Sequence, residues 1–221
     1  TLAHTHHATL TEYLTAQLLL SIRETMRLRE TGRPVVITIP VNLRNYFPSG
    51  TARNFFGIIN LGYDFSRQED SIESVIAFIK EQFQKELTAE KLRERMNELS
   101  ALEHNLLTQL VPLIIKDPVL RLANYLAERG ITAAFSNVGK VAMPLEMARY
   151  IDSFHVFTST NRLQACMCSF GEHCVISFSS PFVSTDIQRA FFRRLTAEGI
   201  AVEVISNQEQ LGFLIQKEVS A

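Results

Sequence analysis

Between residues 9 and 39 the hydrophobic period of the chain switches from that of a helix to that of a strand, and this switch points to a layered α/β structure. Thr9-Leu10-Thr11-Glu12 spells a capping box, in which Thr9 accepts from the amide three residues on while Glu12 reaches back. Leu10, Leu14, Leu18, Ile22 and Met26 follow as an apolar stripe, so a helix is expected from Thr9 to Glu30, with Gly32 stopping it. Pro34 then leads into Val35-Val36-Ile37-Thr38-Ile39, the β-branched run of a buried strand.

The same alternation continues. Pro40 to Asn54 is dense in turn formers and reads as a loop, and Phe55 to Tyr63 as a strand. A helix is expected from Ser71, with Ile72, Val75, Ile76, Ile79 and Phe83 on one face, and a second one capped by Thr88. A third runs from Pro118 to Arg129 and ends at Gly130. Strands are expected at Ile131–Phe135, Ile151–Ser159, Leu163–Phe170 and His173–Ser180, with Gly171-Glu172 as a two-residue hairpin turn. Thr185 to Glu198 reads as a helix and Ala201 to Ile205 as a short strand. The expectation is one lobe over residues 1–205, a mixed sheet layered with helices, followed by a tail or the start of a further segment at 206–221.

With 22 Lys and Arg against 23 Asp and Glu, the formal charge of −1 produces no field that would gather nucleic acid or anionic lipid. No apolar stretch approaches the roughly 20 residues that cross a bilayer. The chain opens Thr1-Leu2-Ala3-His4 without an initiator Met, which reads as a cut from a longer protein. Three cysteines do not form a disulfide framework and suit a reducing, cytoplasmic compartment.

Few motifs carry chemistry. His4-Thr5-His6-His7 lacks the distant carboxylate or thiolate of a closed metal site, and the expected reading is a chain end before a helix cap. Across the expected hairpin, residue n faces residue 343 minus n. Cys166 and Cys168 then share a face with Val175 and Ser177, while Cys174 lies on the other, so the thiols cannot converge on one ion and read as buried small hydrophobes. No phosphate-cradling glycine loop and no nucleophile elbow occurs. What remains is Ala134-Phe135-Ser136-Asn137-Val138-Gly139, a strand ending in a small polar step. The Ser136 hydroxyl could face a developing oxyanion, or Ser136 and Asn137 could cap the strand in an Asx-turn toward Gly139.

Thr9-Leu10-Thr11-Glu12-Tyr13-Leu14, Ile39-Pro40-Val41-Asn42-Leu43-Arg44, Arg53-Asn54-Phe55-Phe56-Gly57 and Phe135-Ser136-Asn137-Val138-Gly139, in this order, resemble the second half of bacterial alcohol acetyltransferase-like proteins. These belong to the coenzyme A-dependent acyltransferase superfamily, with peptide-synthetase condensation domains and wax ester synthases. The resemblance implies a C-terminal lobe of the chloramphenicol acetyltransferase-like fold, paired with an N-terminal lobe across a tunnel where donor and acceptor meet. It implies a coenzyme A or carrier thioester as co-substrate, an alcohol or amine as acceptor, and a base on the second His of His-His-x-x-x-Asp-Gly. His6-His7 imitates that signature but runs on to Thr11-Glu12, so the chain alone is expected to be inactive. By the same resemblance Ser136 stands near the reacting carbonyl, while Asn137, Asn54, Asn60 and Arg44 fall where substrate is bound. Arg44 and Arg53 would be within reach of coenzyme phosphates. A non-catalytic thioester-, lipid- or protein-binding module of the same fold is the alternative, and a lobe alone is expected to expose apolar surface and self-associate.

Overall fold

The computed structural model describes residues 2–27, 30, 32–104 and 113–206. After a short helix, α1 (Leu2–Thr5), come α2 (Leu10–Thr25), β1 (Val35–Asn42), β2 (Phe56–Tyr63), α3 (Ile72–Glu86), α4 (Ala89–His104) and α5 (Leu113–Arg129). The chain continues through β3 (Ala133–Lys140), the short α6 (Leu145–Ala148), β4 (Leu163–Phe170), β5 (His173–Ser179) and α7 (Asp186–Ala197). The five strands form one mixed sheet in the order β2-β1-β3-β4-β5, with β1, β3 and β4 parallel and both outer strands antiparallel to their neighbours.

Side-chain alternation divides the sheet into two unlike faces. Val35, Ile37, Ile39, Ile59, Leu61, Tyr63, Phe135, Ala165 and Met167 are buried on one face, under α2, α3 and α7. Thr9 caps α2 as expected, its hydroxyl accepting from Glu12 N at 3.3 Å while Glu12 Oε2 accepts from Thr9 N at 2.7 Å. A buried chain, Tyr13 Oη to Gln17 to Arg194 Nε, ties α2 to α7 with bonds of 2.9 and 2.8 Å. Thr88 accepts from Lys91 N at 3.2 Å at the start of α4. The hairpin has the expected register, from Phe170↔His173 to Gln164↔Ser179.

Several elements differ from expectation. α2 stops at Thr25, because Met26 turns extended and Arg27 closes a local turn with Glu30. The expected strand Val35–Ile39 continues through Pro40 to Asn42. Val36 directs its N–H and C=O toward β3, so by alternation Pro40 does the same, and its missing N–H falls where the β1–β3 pairing, confined to Ile37 and Thr38, has already ended. α5 begins at Leu113 and carries Pro118 inside it rather than at its start.

The strand expected at Ile131–Phe135 runs instead over Ala133–Lys140, with a bulge at Val138 made possible by Gly139 at φ 86°. Residues 151–160 are irregular, not a strand: β3 and β4 have both sides paired, and this segment lies over the sheet. Ala201–Ile205 is likewise irregular, with Ile200 and Val202 packed on the core and no ladder. Of the expected tail only Ser206 belongs to the described residues. Cys166 and Cys168 are buried, but Cys174 is exposed, one residue from the hairpin turn on the outermost strand.

Candidate functional site

The face of the sheet away from α2, α3 and α7 carries Thr38 and Pro40 of β1, Phe56, Ile58 and Asn60 of β2, Ser136 of β3 and Cys166 and Cys168 of β4. Residues 151–160 form a strap over its β4 side. The Cys168 thiol donates to the Phe154 carbonyl at 3.0 Å, Thr158 Oγ1 lies 3.5 Å from Cys166 Sγ, and the Phe154 and Phe170 rings meet edge to face. Burial pushes the Cys168 thiol above its ordinary range, with smaller contributions from Cys174 and Cys166, so at neutral pH it keeps the proton it donates. The strap leaves the β1–β2 side open, where Phe56 is 52% and Ile58 49% exposed.

Ser136 stands where the parallel strands separate. The β1–β3 register ends at Thr38↔Ala134, one side-chain step before Ser136, while the β3–β4 register continues through Ser136↔Cys166. The half-buried Ser136 is therefore held through its backbone by β4 on one side and borders the divergence from β1 on the other. Asn60 lies on the same face, two strands away, and accepts from Thr38 Oγ1 at 2.8 Å. That bond fixes the amide with its oxygen toward Thr38 and leaves its NH₂ for the open face.

Asn137 points the other way. Its Nδ2 donates to Thr11 Oγ1 at 2.8 Å and its Oδ1 accepts from Gly139 N at 2.8 Å, the Asx-turn that seats the bulge. It positions the strand that carries Ser136 and ties it to the first turn of α2. Arg44 folds onto its own loop, where its guanidinium donates to the carbonyls of Thr51 and Arg53 at 2.9 and 2.7 Å and stands 6.0 Å from the Phe55 ring centre. Asn42 accepts from Arg44 N at 3.1 Å, turning the chain out of β1, and Asn54 is exposed just before β2. The structure thus brings Ser136 and Asn60 to one face, places Asn137 behind it, and keeps Arg44 and Asn54 in the 43–55 loop.

The His4, His6 and His7 group lies at the other side of the molecule, beside α2 and α3. His6 stacks on Tyr13 at 5.7 Å, and Lys80 of α3 donates to the His7 carbonyl. Among the described residues, no group of three or more His, Cys, Asp or Glu is placed to hold a metal ion. Sequence reading missed Thr38 as the partner of Asn60 and the strap as a cover. The alternation Thr38-Ile39-Pro40 does mark Thr38 as facing away from the core, but nothing local says that residues 151–160 lie over β4.

The family model of alcohol acetyltransferases matches residues 2–179. The chain belongs to the alcohol acetyltransferase family. The match ends at the last residue of β5, so it takes in the whole sheet, the strap and every candidate residue of this alcohol acetyltransferase-family chain. No curated protein and no solved structure matches it. No helix among the described residues is long and apolar enough to cross a membrane.

Proposed function

We propose that this chain supplies the oxyanion-donor wall of an acyl-transfer site, as the C-terminal lobe of an enzyme that moves an acyl group from a thioester, such as that of coenzyme A, to an alcohol or amine. The observation that carries the proposal is Ser136, a hydroxyl at the divergence of two parallel strands on the open sheet face of an alcohol acetyltransferase-family chain. A base removes the acceptor proton, the acceptor oxygen or nitrogen bonds to the thioester carbon, and Ser136 donates to the carbonyl oxygen as it gains charge. The carbon–sulfur bond then breaks, and the leaving thiolate takes up the proton.

The base is proposed to lie in an N-terminal lobe, on the His-His-x-x-x-Asp-Gly motif that this sequence does not contain. Of the described histidines, His155 is carried by the strap, where its Nε2 is 3.2 Å from Ser153 Oγ. The Asn60 NH₂ and the open Phe56 and Ile58 side chains would line the path of the acyl chain or acceptor, and Arg53 would meet anionic groups of the donor at its mouth.

The test is thioester consumption across a panel of short alcohols and amines. The 221-residue chain alone turns over none of them. A polypeptide that joins it to a lobe carrying the motif does, and Ser136→Ala in that protein lowers kcat by about 10²- to 10³-fold, the loss expected for one oxyanion donor. An unchanged kcat removes Ser136 from the mechanism, and turnover by the chain alone removes the need for a base elsewhere.

A further inference from the structure

We propose that β5 is an assembly edge, through which two copies of this chain pair antiparallel about Ile176 and join their sheets into one of ten strands. The two outer strands of the sheet are treated very differently. On β2, the outward carbonyl of Ile58 accepts from Arg95 of α4 at 2.9 Å, so a side chain occupies that edge. On β5 nothing comparable is present among the described residues, and the strand holds none of the devices that keep an edge solitary: no Lys, Arg, Asp or Glu, no proline and no bulge from His173 to Ser179.

Hydrogen-bond direction fixes which groups are free. The Ser169 carbonyl accepts from Val141 N on the β3 side of β4, so by alternation Cys168, Cys166 and Gln164 turn their polar backbone toward β5. Their partners Val175, Ser177 and Ser179 turn inward to meet them, and the N–H and C=O groups of Cys174, Ile176 and Phe178 point out of the sheet. No backbone or side-chain partner takes these outward groups among the described residues.

A twofold axis through Ile176 sets Ile176 opposite its own copy and Cys174 opposite Phe178. In this register all three outward residues face their counterparts, and each free N–H meets a free C=O. Moving the axis to Val175 or Ser177 leaves one of the three outside the ladder. The pairing also preserves the two faces: Ile176 and Phe178, on the helix side, meet the partner's helix-side residues.

Charge and apolar surface favour a second copy over an unrelated strand. A twofold axis sets like against like, and a strand without ionised side chains is one that tolerates this. α7 packs on α2 through Arg194, and the flank almost opposite carries the half-buried Phe192, whose ring lies 5.6 Å from Phe178. Directly after β5, Phe182 is 56% and Val183 93% exposed, and the register brings this stretch beside the partner's Gly171-Glu172 turn. Pairing would cover these groups together.

The experiment is sedimentation of the 221-residue chain at tens of micromolar, with amide hydrogen exchange read by NMR on the same samples. A dimer is expected, and on raising concentration the amides of Cys174, Ile176 and Phe178 become protected, whereas those of Val175 and Ser177 are protected throughout. Cys174→Pro removes one outward N–H without touching the β4–β5 ladder and raises the dimer dissociation constant at least about tenfold, while Cys174→Ser leaves it within about twofold. A folded monomer at these concentrations overturns the proposal. So does a dimer in which the three amides exchange freely, which would place the contact on the open sheet face or elsewhere. If Cys174→Pro fails to fold, the exchange pattern of the unaltered chain still decides.

Discussion

Thr15 is fully buried in α2, and its Oγ1 has no hydrogen-bond partner among the described residues. An unpaired buried hydroxyl costs about 1–3 kcal/mol, whereas an isosteric methyl there costs nothing of the kind. Thr15→Val is therefore expected to stabilise the chain by about 1 kcal/mol, seen in thermal unfolding as a rise of about 2–4 °C. Two residues on, around the same helix, the sign reverses. Gln17 bridges Tyr13 and Arg194, and Gln17→Leu strands the Arg194 guanidinium, so a loss of about 1.5–3 kcal/mol is expected in urea titration. The cysteines separate by position: with iodoacetamide at neutral pH, Cys174 is labelled first and Cys166 and Cys168 only on unfolding. Although its side chain is reachable, partial shielding from water by its neighbours raises the Cys174 thiol too, against a hydrogen bond with Ser169 that lowers it, so its labelling rate rises on going from pH 8 to pH 9. Strand parity in the sequence was enough to part Cys174 from the other two thiols. It could not show that Cys174 is exposed, because that depends on β5 being the outermost strand of the sheet.

At the scale of elements, legibility followed locality. The capping box of α2, the Thr88 cap and the Gly171-Glu172 hairpin depend on residues within one turn of each other, and all three stand where the sequence places them. Pro40 and the strap depend on neighbours distant in sequence. A proline in a central strand is read as a break, and only the early end of the β1–β3 pairing makes this one harmless. The Ile151–Ser159 stretch has the composition of a strand, but the thiols of Cys166 and Cys168 and the Phe170 ring hold it across the sheet instead. β3 combines both cases, since Asn137 and Gly139 were legible as an Asx-turn but not as a bulge inside a longer strand. Gly139 meets no atom within 4 Å of an added Cβ, so its conformation alone sets the cost of change. With φ at 86°, Gly139→Ala is expected to cost about 1–2 kcal/mol in chemical denaturation, and Asn137→Ala, which loses both of its bonds, a similar amount.

For the whole molecule the decisive asymmetry lies between the two faces of the sheet. Helices α2, α3 and α7 seal one face, while the other is covered by the strap over β4 and left open over β1 and β2. The candidate site was legible as far as Ser136 and Asn60, which strand alternation places opposite the core residues Phe135 and Ile59. Alternation also turns Asn137 away from Ser136, but its bond to Thr11 was not legible, and neither was the fold of the 43–55 loop that brings Arg44 onto the Thr51 and Arg53 carbonyls. The asymmetry makes a paired prediction on β2, where neighbours in sequence should respond oppositely to truncation. Ile59 and Leu61 are buried under the helices, so Ile59→Ala or Leu61→Ala is expected to cost about 2–5 kcal/mol in urea unfolding. Phe56 and Ile58 are half-exposed on the open face, so Phe56→Ser with Ile58→Ser is expected to shift stability by less than about 1 kcal/mol. If the double serine variant instead unfolds the chain, the open face is internal and the layer assignment fails. If it leaves stability intact but weakens thioester or acceptor binding in the joined two-lobe protein, raising KM with kcat little changed, that face carries ligand contact and not structural load.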